Sequence, residues 1–77
     1  MSRITPVHWK VLRCIFEHDG FTFKKRTSGS HWAGEKPGCL RPVVIPEYDE
    51  IAVDIIRSNM RTAGMTRERY FKLLAEC

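Results

Sequence analysis

The sequence predicts an α+β protein, a three-stranded antiparallel sheet flanked by helices in the order α-β-β-β-α, with a short C-terminal helix after them. Two observations support this order. Apolar residues recur at helical spacing near both ends of the chain, whereas the middle alternates in short runs bounded by Gly, Ser and Pro. A sheet with the helices on one face is the simplest arrangement that buries both helical stripes.

The first helix is expected to begin at Thr5-Pro6. The Thr5 side chain can cap the free N–H groups, and Pro6 suits the first helical position because it has no N–H to leave unpaired. Gly20 supplies the left-handed residue that ends the helix. The apolar residues that share one helical face are Trp9, Leu12, Ile15 and Phe16.

Three strands are predicted at residues 21–27, 30–33 and 41–46. Ser28-Gly29 fits a two-residue hairpin turn between the first two strands. Because Pro42 cannot donate a ladder hydrogen bond, the third strand is expected at an edge of the sheet.

Helical spacing returns from about Ile51, and Gly64 is expected to end this second helix. Thr66 is expected to cap a last short helix. Residues 1–77 are therefore predicted to form a single domain with the layout of a double-stranded-RNA-binding-like sandwich. The apolar stripe of the second helix consists of Val53, Ile56, Met60 and Ala63.

The composition is that of a folded protein with a basic excess. Thirteen Lys and Arg residues against nine Asp and Glu give a net charge of +4, which is compatible with nucleic-acid binding. No apolar run approaches the roughly 18–20 residues that a membrane span needs, and the first residues lack the apolar stretch of a signal peptide. A cytoplasmic location without membrane association is therefore expected.

The three cysteines, Cys14, Cys39 and Cys77, are widely spaced. They cannot all pair within one chain, and they form neither a CxxC pair nor a Cys/His cluster with the spacing of metal ligands. We therefore expect reduced thiols with no disulfide and no metal, and no small-molecule cofactor.

A two-residue turn at Ser28-Gly29 would also fix the register of the first hairpin. Arg26 then lies opposite His31, and Lys25 lies opposite Trp32. Directly opposed residues share one face of a sheet. The predicted helix-covered face carries Phe21, Phe23 and Trp32, and the other face carries Thr22, Lys24, Arg26 and His31.

An imidazole among cations suits a phosphodiester. Lys24 and Arg26 can bind the phosphate and offset the charge that builds up in the transition state. The His31 imidazole can exchange a proton close to neutral pH, and RNA carries its own 2′-hydroxyl nucleophile, so the pattern favours RNA over DNA. A histidine beside Lys and Arg is more often a solvated surface residue, so a non-catalytic RNA-binding module of the same fold is the alternative.

Several short motifs, in this order and spacing, resemble the HicA toxin family. The resemblance implies a double-stranded-RNA-binding-like fold and a ribosome-independent endoribonuclease that cleaves mRNA, inhibited by a HicB-type antitoxin. It also implies that the histidine of the Gly-Ser-His motif is catalytic, and His31 occupies that position. The motifs are Gly20-Phe21 with a basic strand after it, Gly29-Ser30-His31, residues 41–46 (Arg-Pro-Val-Val-Ile-Pro), and Met65-Thr66-Arg67-Glu68 after Gly64.

The sequence departs from the family pattern in two places. Many members carry a second histidine directly after the Gly-Ser-His motif, where this chain has Trp32, and another soon after the proline of the third strand, where it has Glu47 and Tyr48. The proton donor for the leaving oxygen is therefore left open between Tyr48 and a water. The residues expected to contact RNA are Lys24, Lys25, Arg26, Ser30 and Arg41, with Gly29 shaping the turn.

Overall fold

The computed structural model describes residues 3–26 and 29–77 and has the predicted element order. Helices lie at both ends of the described chain, and the strands lie between them. This confirms the α+β class. The elements are α1 (Trp9–His18), β1 (Thr22–Lys25), β2 (His31–Glu35), β3 (Val43–Pro46), α2 (Val53–Ala63) and α3 (Arg67–Leu74).

The three strands form one antiparallel sheet in the order β1-β2-β3. Lys24 lies opposite Ala33 and Lys25 lies opposite Trp32, which confirms the predicted register of the first hairpin. The predicted turn residue Ser28 falls outside the described residues. β3 is an edge strand, as Pro42 predicted.

Helix α2 protects the free edge of β3. The side-chain nitrogen of Asn59, itself buried, donates to the backbone oxygen of Val44 over 3.0 Å. An unpaired edge carbonyl is a template for pairing with another strand. The Asn59 amide occupies one such position, so a polar residue on the buried side of α2 has a structural role.

The predicted start of α1 is wrong. The helix begins at Trp9, four residues after Thr5, and its N-cap is His8, whose Nδ1 accepts a hydrogen bond from the Lys10 amide over 3.1 Å. The preceding segment is extended because Val7 forms an antiparallel bridge with Ile51, whose amide donates to the Val7 oxygen over 2.7 Å. This long-range pairing overrides the local Thr-Pro signal.

The other helix boundaries follow the sequence. Gly64 caps α2 with a φ of +65°, and Gly20 follows α1 with a φ of +103°, a region that glycine adopts without steric cost. Thr66 caps α3, accepting from the Arg69 amide over 3.1 Å.

The core lies between the helices and one face of the sheet. α1 packs against β1, β3 and α3, and α2 packs against β3. The fully buried large side chains are Leu12, Ile15, Phe16, Val43, Ile45, Ile51, Ile56 and Tyr70. Among the described residues, no helix is both long and apolar enough to cross a membrane.

A buried carboxylate joins three parts of the fold at the end of α1. Asp19 Oδ1 accepts from Arg69 Nε of α3 over 2.9 Å, and Asp19 Oδ2 lies 3.4 Å from Lys36 Nζ in the loop after β2. The Asp19 side chain is only 7% exposed, so Arg69 and Lys36 supply polar contacts in place of the water that it loses on burial.

The expectation of reduced thiols is wrong for two of the three cysteines. Cys14 of α1 and Cys77, which follows α3, form a disulfide with their Cα atoms 6.1 Å apart. Cys39 is free. The bonded residues are 63 positions apart in sequence, and only the packing of α3 against α1 brings them together.

Candidate nucleic-acid interface on the open face of the sheet

The first hairpin brings a histidine and two cations onto one side of the sheet. The Arg26 amide donates to the His31 backbone oxygen over 2.9 Å, so these residues are cross-strand neighbours. Lys24, two residues before Arg26, shares their face because side chains alternate along a strand. All three residues are exposed. We call Lys24, Arg26 and His31 the open face.

Trp32 lies on the opposite side of the sheet, as the register predicts. Its ring stacks on Trp9 of α1, with centroids 5.8 Å apart and planes at 17°. The Arg13 guanidinium lies 4.9 Å from the Trp32 centroid, a cation–π distance. The indole is therefore part of the packing between α1 and β2 and does not stand beside His31 as a base-stacking platform.

A carboxylate fixes the polar end of this indole. Trp32 Nε1 donates to Glu47 Oε2 over 2.8 Å, and Lys25 Nζ lies 3.5 Å from the same oxygen. The hydrogen bond from Trp32, aided by the positive charge of Lys25, holds the pKa of Glu47 below its ordinary value of 4.5. Glu47 is therefore an anion on the helix side at neutral pH.

Two of the residues predicted to contact RNA, Lys25 and Arg41, lie away from the open face. Lys25 lies opposite Trp32 and pairs with Glu47, so it is separated from Lys24 and Arg26. Arg41 lies beyond Val43, at the end of β3 far from Pro46, the cross-strand partner of His31. The distance along β3 from Val43 to Pro46, three residue steps of roughly 3.3 Å each, is about 10 Å. The structure therefore does not bring Lys25 or Arg41 to the open face.

Ser30 and Gly29 form the entry to β2. The Ser30 backbone oxygen accepts from the Glu47 amide over 2.8 Å, and the Gly29 amide donates to the Arg26 oxygen over 3.4 Å. These bonds hold the start of β2 to both neighbouring strands. They hold the backbone that carries His31. The turn-shaping role of Gly29 stays a prediction, because Ser28, the other predicted turn residue, lies outside the described residues.

The two other histidines have local partners. His8 caps α1, and its Nε2 lies 3.6 Å from Asp49 Oδ1. His18 Nδ1 lies 3.2 Å from Glu76 Oε1. Of the three histidines in the chain, His31 is thus the one on the open face. Tyr48, the candidate proton donor, is 51% exposed and follows Pro46 by two residues.

The sequence does not identify Glu47 as the partner of Trp32. Fifteen positions separate these residues, and only the β2–β3 register, which pairs Trp32 with Ile45, places them side by side. No local spacing rule contains this information.

Comparison with protein-family models, curated proteins and solved structures gives no match for this chain.

Proposed function

We propose that this protein is an endoribonuclease that cleaves mRNA, with His31 as the general base. The observation that carries the proposal is the cross-strand pair of Arg26 and His31, with Lys24 beside it on an exposed face. A phosphate held by two cations next to an imidazole supplies a base and charge stabilisation for metal-free RNA transesterification, which also needs a proton donor for the leaving oxygen.

The reaction is a transphosphorylation within the RNA. His31 accepts the proton of a 2′-hydroxyl, and the resulting oxygen nucleophile attacks the adjacent phosphorus. The bond from phosphorus to the 5′-oxygen breaks, and that oxygen takes a proton from Tyr48 or a water, leaving a 2′,3′-cyclic phosphate. Lys24 and Arg26 offset the negative charge on the non-bridging oxygens in the transition state.

We further propose that the protein is a HicA-like toxin of a type II toxin–antitoxin system, acting in the cytoplasm, with a double-stranded-RNA-binding-like fold. The support is the order of the motifs around Gly29-Ser30-His31 and Gly64 together with the α-β-β-β-α element order. A HicB-type antitoxin would inhibit it by covering the open face. Its cognate reading frame is expected beside that of this chain.

The test is a cleavage assay with a long single-stranded RNA in excess EDTA. The wild type should cut, and His31→Ala should lose at least ~100-fold in rate, the usual contribution of a general base. His31 is exposed, so the free energy of unfolding of the variant should differ from that of the wild type by less than about 0.5 kcal/mol. Cleavage by His31→Ala at the wild-type rate would overturn the proposal.

The matched control is His8→Asn. This change also removes an imidazole, but asparagine can still accept the hydrogen bond from the Lys10 amide that caps α1. We expect its cleavage rate to equal that of the wild type.

Tyr48→Phe in the same assay separates the two candidate proton donors, because a large loss of rate would select Tyr48 over water.

A non-catalytic RNA-binding module is the second candidate. It is favoured by the position of Trp32, which occupies the place of the family's second histidine but packs against Trp9 on the helix side. This function predicts salt-dependent RNA binding without cleavage. Lys24→Gln and Arg26→Gln would then weaken binding more than His31→Ala does, measured by fluorescence anisotropy at two salt concentrations.

A further inference from the structure

The disulfide has a third metal-binding side chain beside it. Cys14 and His18 are four residues apart on α1, which places them on the same helical face. Cys77 lies against this face, and the Cys14, His18 and Cys77 ligand atoms all lie within 4.8 Å of one another. Cys14 is half-buried, whereas His18 and Cys77 are exposed, so an ion can reach the cluster from solvent.

We propose that the reduced form of the protein binds Zn²⁺ through Cys14, His18 and Cys77. Two thiolates and an imidazole are the ligands that zinc prefers, and three protein ligands leave a fourth position for water. Glu76 Oε1 lies 3.2 Å from His18 Nδ1, which gives the imidazole the carboxylate partner that usually orients a metal-bound histidine.

The two states of the cluster exclude each other. A dithiol supplies two electrons and two protons and becomes a disulfide itself, whereas a phosphine supplies two electrons, takes the oxygen of a water and becomes its oxide while that water supplies the two protons. Either reaction breaks the bond between the sulfurs and leaves two thiols. Zn²⁺ then displaces the two thiol protons as both thiolates coordinate it. A low-molecular-weight disulfide accepts the two electrons in the reverse step, the Zn²⁺ is released, and the bond between the two sulfurs forms again.

The change of state needs only a small displacement. Two sulfurs that bind one tetrahedral Zn²⁺ at about 2.3 Å each lie about 3.7 Å apart, and the Cα separation of 6.1 Å between Cys14 and Cys77 already holds their side chains together. Because Cys77 is exposed and lies outside α3, its sulfur can move without disturbing the core. Disulfide and zinc therefore make the same tether between α1 and the segment after α3.

The test is a titration of the phosphine-reduced, desalted protein with Zn²⁺ against a chromogenic chelator, and with Co²⁺ as a spectroscopic probe. We expect one Zn²⁺ per chain and, with Co²⁺, a thiolate charge-transfer band. Cys77→Ser and His18→Ala should each weaken Zn²⁺ binding by at least ~100-fold. His18 is exposed, so His18→Ala should fold. Cys77→Ser lacks the disulfide, as the reduced wild type does, so its circular dichroism spectrum is compared with that of the reduced wild type.

The matched control is Cys39→Ser, which removes the third thiol outside the cluster. Cys39 Sγ donates to the backbone oxygens of Arg41 and Thr62, and a serine hydroxyl can do the same, so Zn²⁺ binding should be unchanged. The oxidised wild type should bind no Zn²⁺. The proposal is overturned if the reduced wild type binds none, or if Cys77→Ser or His18→Ala binds as tightly as the wild type. None of these outcomes depends on RNA cleavage.

Discussion

Gly34 in β2 lies directly under the ring of Phe23, its partner across the first hairpin. A Cβ atom added to Gly34 would lie 2.5 Å from Phe23 Cε2 and 2.6 Å from Cζ. Gly34 is buried, and the ring packs against the core through Phe21, with centroids 6.5 Å apart. The φ of Gly34 is not positive, so its backbone conformation is open to any residue. Glycine is required here because the neighbouring ring leaves no room for a Cβ.

We expect Gly34→Ala to lower the free energy of unfolding by about 1–3 kcal/mol, because the ring has to leave its packed position. Urea denaturation followed by fluorescence would measure it. Gly29→Ala is the matched control, since none of the described residues lies within 4 Å of a Cβ at Gly29. An equal effect of the two substitutions would contradict the packing explanation.

Glu47 gives the stability of the fold a pH dependence with a defined sign. Its pKa is lowered from 4.5 in the folded protein, chiefly by the hydrogen bond from Trp32. The unfolded chain therefore binds a proton at a higher pH than the folded protein does. Ionised Glu47 therefore stabilises the folded protein. Its contribution is complete above the ordinary pKa and is lost as the pH falls through the lowered pKa.

We expect Glu47→Gln to be less stable than the wild type at pH 7, with the difference closing as the pH falls well below 4.5. The glutamine oxygen can still accept from Trp32 Nε1, so the charge is what the variant removes. Urea midpoints measured between about pH 3 and pH 7 would test this. Glu50 is an exposed carboxylate of the same loop, so Glu50→Gln is the control. If the urea midpoints of Glu47→Gln and the wild type differ by the same amount at every pH, the charge of Glu47 is not the cause.

At the scale of the elements, the two threonine caps predicted from sequence have different outcomes. Thr66 caps α3 through its side-chain oxygen. Thr5 is exposed and lies four residues before the first residue of α1. A cap sequence acts only where the following backbone is helical, and two residues after Thr5 the chain instead forms the bridge between Val7 and Ile51.

Thr66→Ala is therefore expected to cost about 1 kcal/mol, the usual cost of losing an N-cap side chain. Thr5→Ala should change the free energy of unfolding by less than about 0.5 kcal/mol, as an exposed substitution does. Thermal denaturation of the two variants would measure the difference. A cost at Thr5 equal to that at Thr66 would show that Thr5 contributes to the start of α1 after all.

The strands show how far short-range signals determine an element. A turn at Ser28-Gly29 was sufficient to predict which residues of β1 and β2 face each other, because a hairpin transmits its register along both strands. That prediction placed His31, Arg26 and Lys24 together and Trp32 on the other side, and the described residues agree. Lys25 and Arg41 were assigned to RNA by charge alone, and charge does not specify a face.

At the scale of the whole molecule, the disulfide between α1 and the segment after α3 closes a long loop of the chain. Cys14 and Cys77 are separated by 63 positions, and for a loop of this length the chain-entropy model gives about 4 kcal/mol. This is a large fraction of the stability of a small domain, typically about 5–15 kcal/mol.

Reduction in the absence of metal should therefore lower the melting temperature by roughly 10 °C or more. Cys77→Ser should reproduce this loss without a reductant, and Cys39→Ser should melt like the wild type. Differential scanning calorimetry with and without phosphine would measure these shifts. If Zn²⁺ restores the melting temperature of the reduced wild type but not that of Cys77→Ser, the tether is the common cause.

By itself, the sequence determined the class, the order and the approximate positions of the elements, because helical stripes, alternation and glycine stops are local. It also determined the face that carries His31, since register follows from a short turn. Only the tertiary structure decided the start of α1, the partner of Trp32 and the pairing of Cys14 with Cys77. Each of these depends on a contact between residues at least 15 positions apart, whose proximity is set by the packing of the whole chain.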